Sequence, residues 1–156
     1  MKQQHIHSPA SFPSQIVLPA CLGDDIRAHC SRCYPHEACG LVLGLRSDDH
    51  LRACALVHCD NAATADKETR FEIAPSALFA AHRKARAQGL HVLGHYHSHP
   101  NGTAQPSQID AASIADVGAV WIIISVQQGA VGDMAAFYPQ ADGDGFKPLA
   151  LLEQHP

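Results

Sequence analysis

The chain has 156 residues and a formal net charge of −4 with its histidines neutral, which suits one compact domain that buries a core without disulfides. The mildly acidic balance argues against nucleic acid and against anionic membranes as partners. No apolar run approaches the length of a membrane span, and the N-terminus lacks the apolar region of a signal peptide. We therefore expect a cytoplasmic protein whose six cysteines remain reduced.

The chain begins with residues 1–13, a polar stretch rich in His, Ser and Pro that predicts a flexible N-terminal tail. Residues 14–156 form the single predicted domain, in which we find no repeats. Hydrophobic periodicity and turn residues divide the first half of this domain into strands and a helix. The predicted elements are a strand at Gln15–Leu18, an amphipathic helix at Pro19–Cys33, and a hairpin of strands at Ala38–Leu45 and Leu51–Cys59.

The second half of the domain continues the alternation of strands and helices. Its predicted elements are a brief strand at Phe71–Ile73, helices at Pro75–Gln88 and at Gln105 to about Asp116, and strands at Leu90–Tyr96, Val120–Val126 and Asp133–Tyr138. The nearly continuous apolar runs indicate strands that are covered on both faces. The sequence therefore predicts an α/β fold with helices packed on a mixed sheet.

Cys30 and Cys33 form a CxxC pattern, which occurs in structural zinc sites and in redox pairs. Together with Leu22 and Ile26 they also continue one apolar face of the predicted helix, where a free thiol packs as a small hydrophobe. A metal knuckle requires a turn, and this pattern lies inside the helix. We therefore favour core packing for the two thiols and leave a further role open.

The residues most suited to chemistry are His97-Ser98-His99 and the carboxylate of Asp110. Side chains two residues apart in an extended segment point to the same face, so His97 and His99 converge while Ser98 faces away. Two imidazoles and one carboxylate suit a zinc ion that keeps a fourth position open for water. His95 shares the same phase, and periodicity alone leaves open which two of the three histidines are ligands.

Three other residues have an ordinary structural explanation as well. Ser107 and Asp110 match the capping box of a helix, and Asp110 also complements the helix dipole. Glu37 lies between a helix end and a buried strand, where its position alone predicts a solvated turn carboxylate. Cys39 lies in the apolar strand that follows, where a thiol stays protonated, and this argues against a nucleophilic cysteine.

The spacing of these residues resembles the signature of the JAMM (MPN-plus, Mov34) zinc isopeptidases, which is carried here by Glu37, His97, Ser98, His99, Ser107 and Asp110. The segment from Tyr34 to Gly40 is similar to the glutamate-bearing segment of the short bacterial members. Asn61 and the stretch from Arg70 to Pro75 are similar to their middle segment. The resemblance covers roughly residues 15–140.

This resemblance implies a cytidine-deaminase-like α-β-α arrangement and one zinc ion per chain, held by His97, His99 and Asp110. It implies that Glu37 acts as acid and base toward the attacking water, and that Ser107 helps to hold the oxyanion. The substrate it implies is the C-terminal tail of a ubiquitin-like protein. For the short bacterial members, that substrate is a small sulfur-carrier protein with a diglycine end.

Two other functions are weighed against this one. A catalytically silent scaffold of the same fold would not need the ligands, yet every ligand position is intact here. A cytidine-deaminase-like enzyme would carry the H-x-E and P-C-x-x-C signature of the zinc deaminases, which is absent. We therefore predict a zinc-dependent peptidase or isopeptidase that hydrolyses the amide bond after a diglycine tail. No feature of the sequence predicts an oligomeric state.

Overall fold

The structure, a computed structural model, describes residues 12–140, 143 and 145–156. Residues 1–11 of the predicted tail lie outside the described residues, so that prediction stays untested. Within the described part the chain forms seven strands and three helices. In chain order these are β1 (Gln15–Pro19), α1 (Ala20–Cys33), β2 (Cys39–Arg46), β3 (His50–Cys59), α2 (Pro75–Ala87), β4 (His91–Pro100), α3 (Gln108–Ala112), β5 (Val120–Gln127), β6 (Ala130–Pro139) and β7 (Phe146–Gln154).

The seven strands form one mixed sheet that closes into a barrel in the order β1-β3-β2-β4-β5-β6-β7. The pairs β1–β3, β1–β7 and β4–β5 are parallel, and the other pairs are antiparallel. The prediction of a single α/β domain around a mixed sheet is therefore confirmed. None of the described helices is long and apolar enough to span a membrane.

α1 and α2 pack against opposite faces of the sheet. Val42 of β2 belongs to the buried cluster that contains Ile26 of α1. Its neighbours Leu41 and Leu43 belong to the cluster that contains Ala81 of α2. Since successive residues of a strand point to opposite faces, a strand covered on both faces needs the continuous apolar run that β2 has.

The predicted cytidine-deaminase-like layering is not confirmed. Helices do cover both faces of the sheet, but the sheet closes on itself because β1 pairs in parallel with β7. Gln15 lies opposite Ala150 in this pair, so the closing contact joins the two ends of the domain. Hydrophobic periodicity is a local signal and carries no information about such a pairing.

Two predicted elements differ in the structure. The segment Phe71–Ile73 belongs to no strand, because the backbone of Glu72 bonds to Asn61 and Ala62 in the same loop and not to a strand of the barrel. The helix predicted to reach Asp116 ends as α3 at Ala112. Its early end has a local cause, since the Ser113 hydroxyl donates to the Ile109 carbonyl at 2.7 Å and competes with a further helical turn.

The C-terminal strand β7 was not predicted, and β4 is longer than expected. β7 contains Pro148, which lowers the strand signal in the sequence because proline cannot donate to a ladder.

β4 runs to Pro100 and does not end at Tyr96. As a result, both candidate histidine ligands lie within a paired strand and not in the loop after it.

The CxxC pattern at Cys30 and Cys33 has the packing role that the helix periodicity favoured. Cys30 is fully buried among the residues of the α1 cluster, and Cys33 packs against that cluster. Burial raises the pKa of Cys30 to about 12, so this thiol stays protonated. All six cysteines of the chain are free thiols.

Candidate active site

β4 brings the two predicted histidine ligands together. The Nε2 atoms of His97 and His99 lie 3.0 Å apart. Ser98, between them, turns its hydroxyl the other way and accepts a hydrogen bond from the N–H of Ala38 at 2.8 Å. The alternation expected of an extended segment is therefore observed, with both imidazoles on one side of the strand.

Asp110 completes this group from the first turn of α3. Its Oδ1 lies 3.2 Å from His97 Nε2, and its Oδ2 lies 3.1 Å from His99 Nε2. A capping box sets its position, since the N–H of Ser107 donates to Asp110 Oδ2 at 2.8 Å and the N–H of Asp110 donates to Ser107 Oγ at 3.0 Å. The capping box predicted from the sequence therefore also directs the carboxylate toward the histidines, although the helix begins at Gln108 and not at Gln105.

The donor set of these three side chains fits a zinc ion. All three are buried, and their ligand atoms lie within 4.8 Å of one another. In the described part of the chain, no second group of His, Cys, Asp and Glu side chains converges in this way. Zinc accepts imidazole nitrogen and carboxylate oxygen, and three protein ligands leave one position open. His97, His99 and Asp110 are therefore the residues that would hold the ion.

The ionisation states of Asp110 and His97 are suited to metal binding, whereas the pKa of His99, although burial acts to lower it, is raised by hydrogen bonds to Asp110 and Thr103. Although burial acts to raise it, the pKa of Asp110 is held well below its usual value by hydrogen bonds from His97 and His99. Burial lowers the pKa of His97 in spite of the neighbouring carboxylate. An ionised carboxylate beside a neutral imidazole is the state in which these groups bind a metal.

The two imidazoles are supported in different ways. His99 Nδ1 lies 2.8 Å from the carbonyl of Thr103, which leaves Nε2 free to bind a metal. His97 Nδ1 is buried and has no hydrogen-bond partner among the described residues. Phe71 stacks on the His97 ring instead, with centroids 4.5 Å apart and planes 21° apart. The Thr103 contact was missed in the sequence because a backbone carbonyl carries no residue signature.

His95, the third histidine in phase, lies outside the group. Its ring packs against Trp121, with centroids 4.3 Å apart, and against Phe71 at 5.1 Å. The carboxylate of Asp110 is approached by the other two histidines and not by this one. Of the three histidines in phase, the structure therefore brings His97 and His99, and not His95, to the carboxylate of Asp110.

Glu37 lies in the loop between α1 and β2 and lines a cleft beside the imidazole of His99. The cleft has a volume of about 430 Å³, and Glu37, His99 and Ser107 all line it. Only 4% of Glu37 is exposed, and its Oε2 is buried without a hydrogen-bond partner among the described residues. The interpretation as a solvated turn carboxylate is therefore wrong. Burial raises the pKa of Glu37 to about 8.

Main-chain hydrogen bonds hold the loop that carries Glu37 against the loop after β3 and against β4, the strand that carries the histidines. The N–H of Glu37 donates to the Lys67 carbonyl at 2.7 Å, and the N–H of Ser98 donates to the Ala38 carbonyl at 3.1 Å. Ala38 and Ser98 therefore bond to each other twice, counting the serine hydroxyl. The backbone beside Glu37 is held against the residue that separates the two histidines.

Cys39 has no features of a catalytic nucleophile. It is fully buried, and its Sγ lies 3.7 Å from the carbonyl oxygens of Cys59 and Asp60. Burial, with a smaller effect of Cys59, raises the pKa of Cys39 to about 12. A thiol in this environment is protonated and unreactive.

Comparison with known families places this fold and site in one class. The profile of the Prok-JAB family, described as prokaryotic homologs of the JAB domain, matches residues 19–138. This range contains Glu37, both histidines of the group, Ser107 and Asp110. The chain belongs to the prokaryotic JAB family.

Three curated proteins are similar in sequence to this chain. The probable TtuB-protein conjugate cleaving protease of Thermus thermophilus is 34% identical over 95 residues, which are 61% of this chain and 60% of that protein. The desampylase of Haloferax volcanii is 27% identical over 142 residues, 88% of this chain and 96% of that one. Tail tip assembly protein K of Escherichia phage N15 is 29% identical over 131 residues, 84% of this chain. The chain spans about half of the phage protein (46%).

Solved structures of other proteins superimpose on the fold of this chain. A Desulfitobacterium hafniense protein studied in solution superimposes with a TM-score of 0.80 at 26% identity, covering 91% of this chain and 94% of that one. A Salinibacter ruber protein has a TM-score of 0.69 at 32% identity, covering 88% and 90%. A JAB1/MPN domain protein of Archaeoglobus fulgidus has a TM-score of 0.51 at 18% identity, covering 93% and 100%. The last shows likeness of fold alone.

Proposed function

We propose that this protein is a zinc-dependent peptidase or isopeptidase that hydrolyses the amide bond after the diglycine end of a ubiquitin-like or sulfur-carrier protein. The observation that carries the proposal is the convergence of His97, His99 and Asp110 beside a cleft that His99 and a buried glutamate, Glu37, both line. Three candidate ligands, an acid/base group and a hydroxyl donor are the parts that hydrolysis of an amide requires.

Each residue has a distinct part in this proposal. His97, His99 and Asp110 would hold the zinc ion, which would polarise the scissile carbonyl and make water acidic near neutral pH. Glu37 accepts a proton from the attacking water and passes it to the departing amine. A pKa of about 8 in the metal-free site would fall beside a cation, because the cation favours the carboxylate form.

Ser107 has a hydrogen available for the oxyanion. Its Oγ accepts the bond from the N–H of Asp110, so the capping role uses a lone pair and leaves the hydroxyl proton unassigned. Ser107 also lines the cleft. The capping explanation and the catalytic explanation are therefore compatible, and a donor of this kind stabilises negative charge that develops on the carbonyl oxygen.

The class of substrate is supported by two relatives. One is named as a protease that cleaves TtuB-protein conjugates, and the other is named as a desampylase. Both names describe the removal of a conjugated protein. Because the identities are 34% and 27%, we transfer the class of bond and the kind of partner, and not the individual carrier.

The segment from Arg70 to Ile73 supports a route for the tail. The barrel offers little edge, since each of its strands pairs with two others. In the segment, the carbonyl of Arg70 and both polar backbone groups of Glu72 bond to residues 61 and 62. The N–H and C=O of Phe71 and of Ile73 have no partner among the described residues. These groups form a free edge to which an extended tail could add as a strand.

The test uses purified protein, its zinc content and a panel of carrier fusions. We expect one zinc per chain, cleavage after a diglycine end, and loss of cleavage when Gly→Leu is introduced next to the scissile bond. Glu37→Gln should keep zinc and lose at least a hundredfold in kcat. Glu68→Gln, an exchange at an exposed glutamate that lines the same cleft, is the matched control. Cleavage that ignores the tail glycines but depends on the released group would contradict the proposal.

The alternative of a silent scaffold predicts a different result. Such a protein would bind the carrier tail and release it uncleaved, with or without zinc. Intact candidate ligands and a buried Glu37 disfavour this alternative, because a scaffold has no use for a desolvated carboxylate. Binding without turnover in the fusion assay would favour it.

A further inference from the structure

Asn61 lies in the loop between β3 and α2, and its side-chain amide makes four hydrogen bonds. Nδ2 donates to the carbonyl of Glu37 at 3.1 Å and to that of Arg70 at 2.9 Å. Oδ1 accepts from the N–H of Ala63 at 3.0 Å and from that of Glu72 at 3.2 Å. A carboxamide has two donors and one oxygen with two lone pairs, so its bonding capacity is filled.

The first of these bonds holds Glu37 by its main chain. The N–H of Glu37 is bonded to the Lys67 carbonyl in the same loop, so this loop occupies both polar backbone groups of the residue. The carboxylate has less support, since its Oε2 has no hydrogen-bond partner within residues 12–140, 143 and 145–156. The direction of this carboxylate therefore depends on how its backbone is held.

The bonds to Arg70 and Glu72 hold Phe71 from both sides. Phe71 stacks on the ring of His97 at 4.5 Å, and His97 Nδ1 has no hydrogen-bond partner in the described part of the chain. A metal-binding imidazole is usually oriented by a hydrogen bond to its second nitrogen. At His97 the stacked ring takes that place, so Asn61 acts on His97 through Phe71.

We infer that Asn61 is a positioning residue that sets the location of the acid/base group Glu37 relative to the metal ligand His97. This inference rests on the proposed function. A single amide joins the main chain of the glutamate to the segment whose aromatic ring supports the histidine. Loss of the hydrogen bonds made by the Asn61 side chain should therefore affect both metal binding and proton transfer. Asn61 itself contacts neither metal nor substrate.

The first measurement is zinc affinity, which needs no substrate. Asn61→Asp keeps the size of the side chain but loses both donors and sets an anionic oxygen against two carbonyls. Gln88→Glu, at an exposed position after α2, is the matched amide-to-acid control. By chelator competition we expect Asn61→Asp and Phe71→Leu each to weaken zinc binding about tenfold or more. The double variant should bind zinc with the same affinity as whichever single variant binds it less tightly. Gln88→Glu should bind zinc with the wild-type affinity.

The second measurement separates the effect on Glu37. With saturating zinc and a cleavable diglycine fusion, Asn61→Asp should lower kcat at least tenfold and change KM less than twofold. In a Glu37→Gln background the same change should lower kcat no more than twofold further, because the two residues act through one carboxylate. Asn61→Ser, which has a smaller and uncharged side chain, replaces Asn61→Asp if that variant does not fold.

Two results overturn the inference. The first is that Phe71→Leu weakens zinc binding while Asn61→Asp leaves it unchanged. The other is a loss of kcat that is equal with and without Glu37. Wild-type protein that binds no zinc would overturn this inference and the proposed function together. Zinc binding without turnover would overturn the proposed function and the part of the inference that concerns Glu37, and the zinc affinities would then decide whether Asn61 positions His97.

Discussion

Ser98 and Ala38 exchange two hydrogen bonds, one from the N–H of Ala38 to Ser98 Oγ at 2.8 Å and one from the N–H of Ser98 to the Ala38 carbonyl at 3.1 Å. This pair joins the residue after Glu37 to the residue between the two candidate histidine ligands. Ser98 is fully buried, so loss of its hydroxyl would leave the N–H of Ala38 without an acceptor.

We expect Ser98→Ala to lower the free energy of unfolding by about 1–3 kcal/mol, which is the cost of a buried donor left unpaired. Urea denaturation of the metal-free protein measures this change without a contribution from zinc. Ser76→Ala, at an exposed position in α2, should change the free energy by less than about 0.5 kcal/mol. Equal stability of the wild type and Ser98→Ala would contradict this account of the pair.

His97→Ala should abolish stoichiometric zinc binding and turnover, because it removes one of three protein ligands. His91→Ala is the control, since His91 is an exposed histidine at the start of the same strand. Zinc content by elemental analysis and the melting temperature with and without chelator should separate the two variants. A ligand that binds only the native state stabilises it, so chelation should lower the melting temperature of His91→Ala and not that of His97→Ala.

Ser107→Ala should have two separable effects. Loss of the N-cap should cost about 0.5–2 kcal/mol of stability, and loss of a hydroxyl donor to the oxyanion should lower kcat about a hundredfold. Ser113→Ala is the control, because its hydroxyl bonds within the same helix at 2.7 Å and should influence stability alone. If both variants lowered kcat to the same extent, the catalytic role of Ser107 would be wrong.

His29 should make stability depend on pH. Its Nδ1 lies 2.7 Å from the Tyr96 hydroxyl, and its ring centroid lies 4.2 Å from that of His58. Burial, followed by the nearby His58 and Arg32, lowers the pKa of His29 from 6.5 to about 4. Between these values the unfolded chain binds a proton that the folded chain does not. The free energy of unfolding should therefore fall as the pH falls from 6.5 toward 4.

For this one group the slope is at most about 1.4 kcal/mol per pH unit. Burial also lowers the pKa of His95 to about 3, so His29→Gln should reduce the slope in that window without removing it, as measured by urea denaturation at a series of pH values. His82→Gln, at an exposed position on α2, should keep it. A slope in His29→Gln equal to that of the wild type would contradict the contribution of His29.

Local signals account for the elements that were predicted closely. α1 was expected from Pro19 to Cys33 and runs from Ala20 to Cys33, since an amphipathic period and a following proline mark its length and its end. β5 was expected to end at Val126 and ends at Gln127. Both predictions used residues that are neighbours in the chain.

Glu37 shows where local reasoning failed. Its position between a helix and a strand predicted exposure, yet it is 4% exposed, because a loop from beyond β3 closes over it. The bonds that hold it come from Asn61 and Lys67. These contacts depend on the path of a distant loop, and no pattern around Glu37 encodes that path.

By itself, the sequence determined the relations between near neighbours. These are the alternation that sets His97 and His99 on one face of a strand, and the capping box in which Ser107 and Asp110 bond to each other. Only the tertiary structure decided that β4 and α3 meet at the imidazole nitrogens, that Glu37 is buried in the same cleft, and that β1 closes the barrel against β7. These relations join residues far apart in the chain, and they follow from how helices and strands pack and not from the period of any one of them.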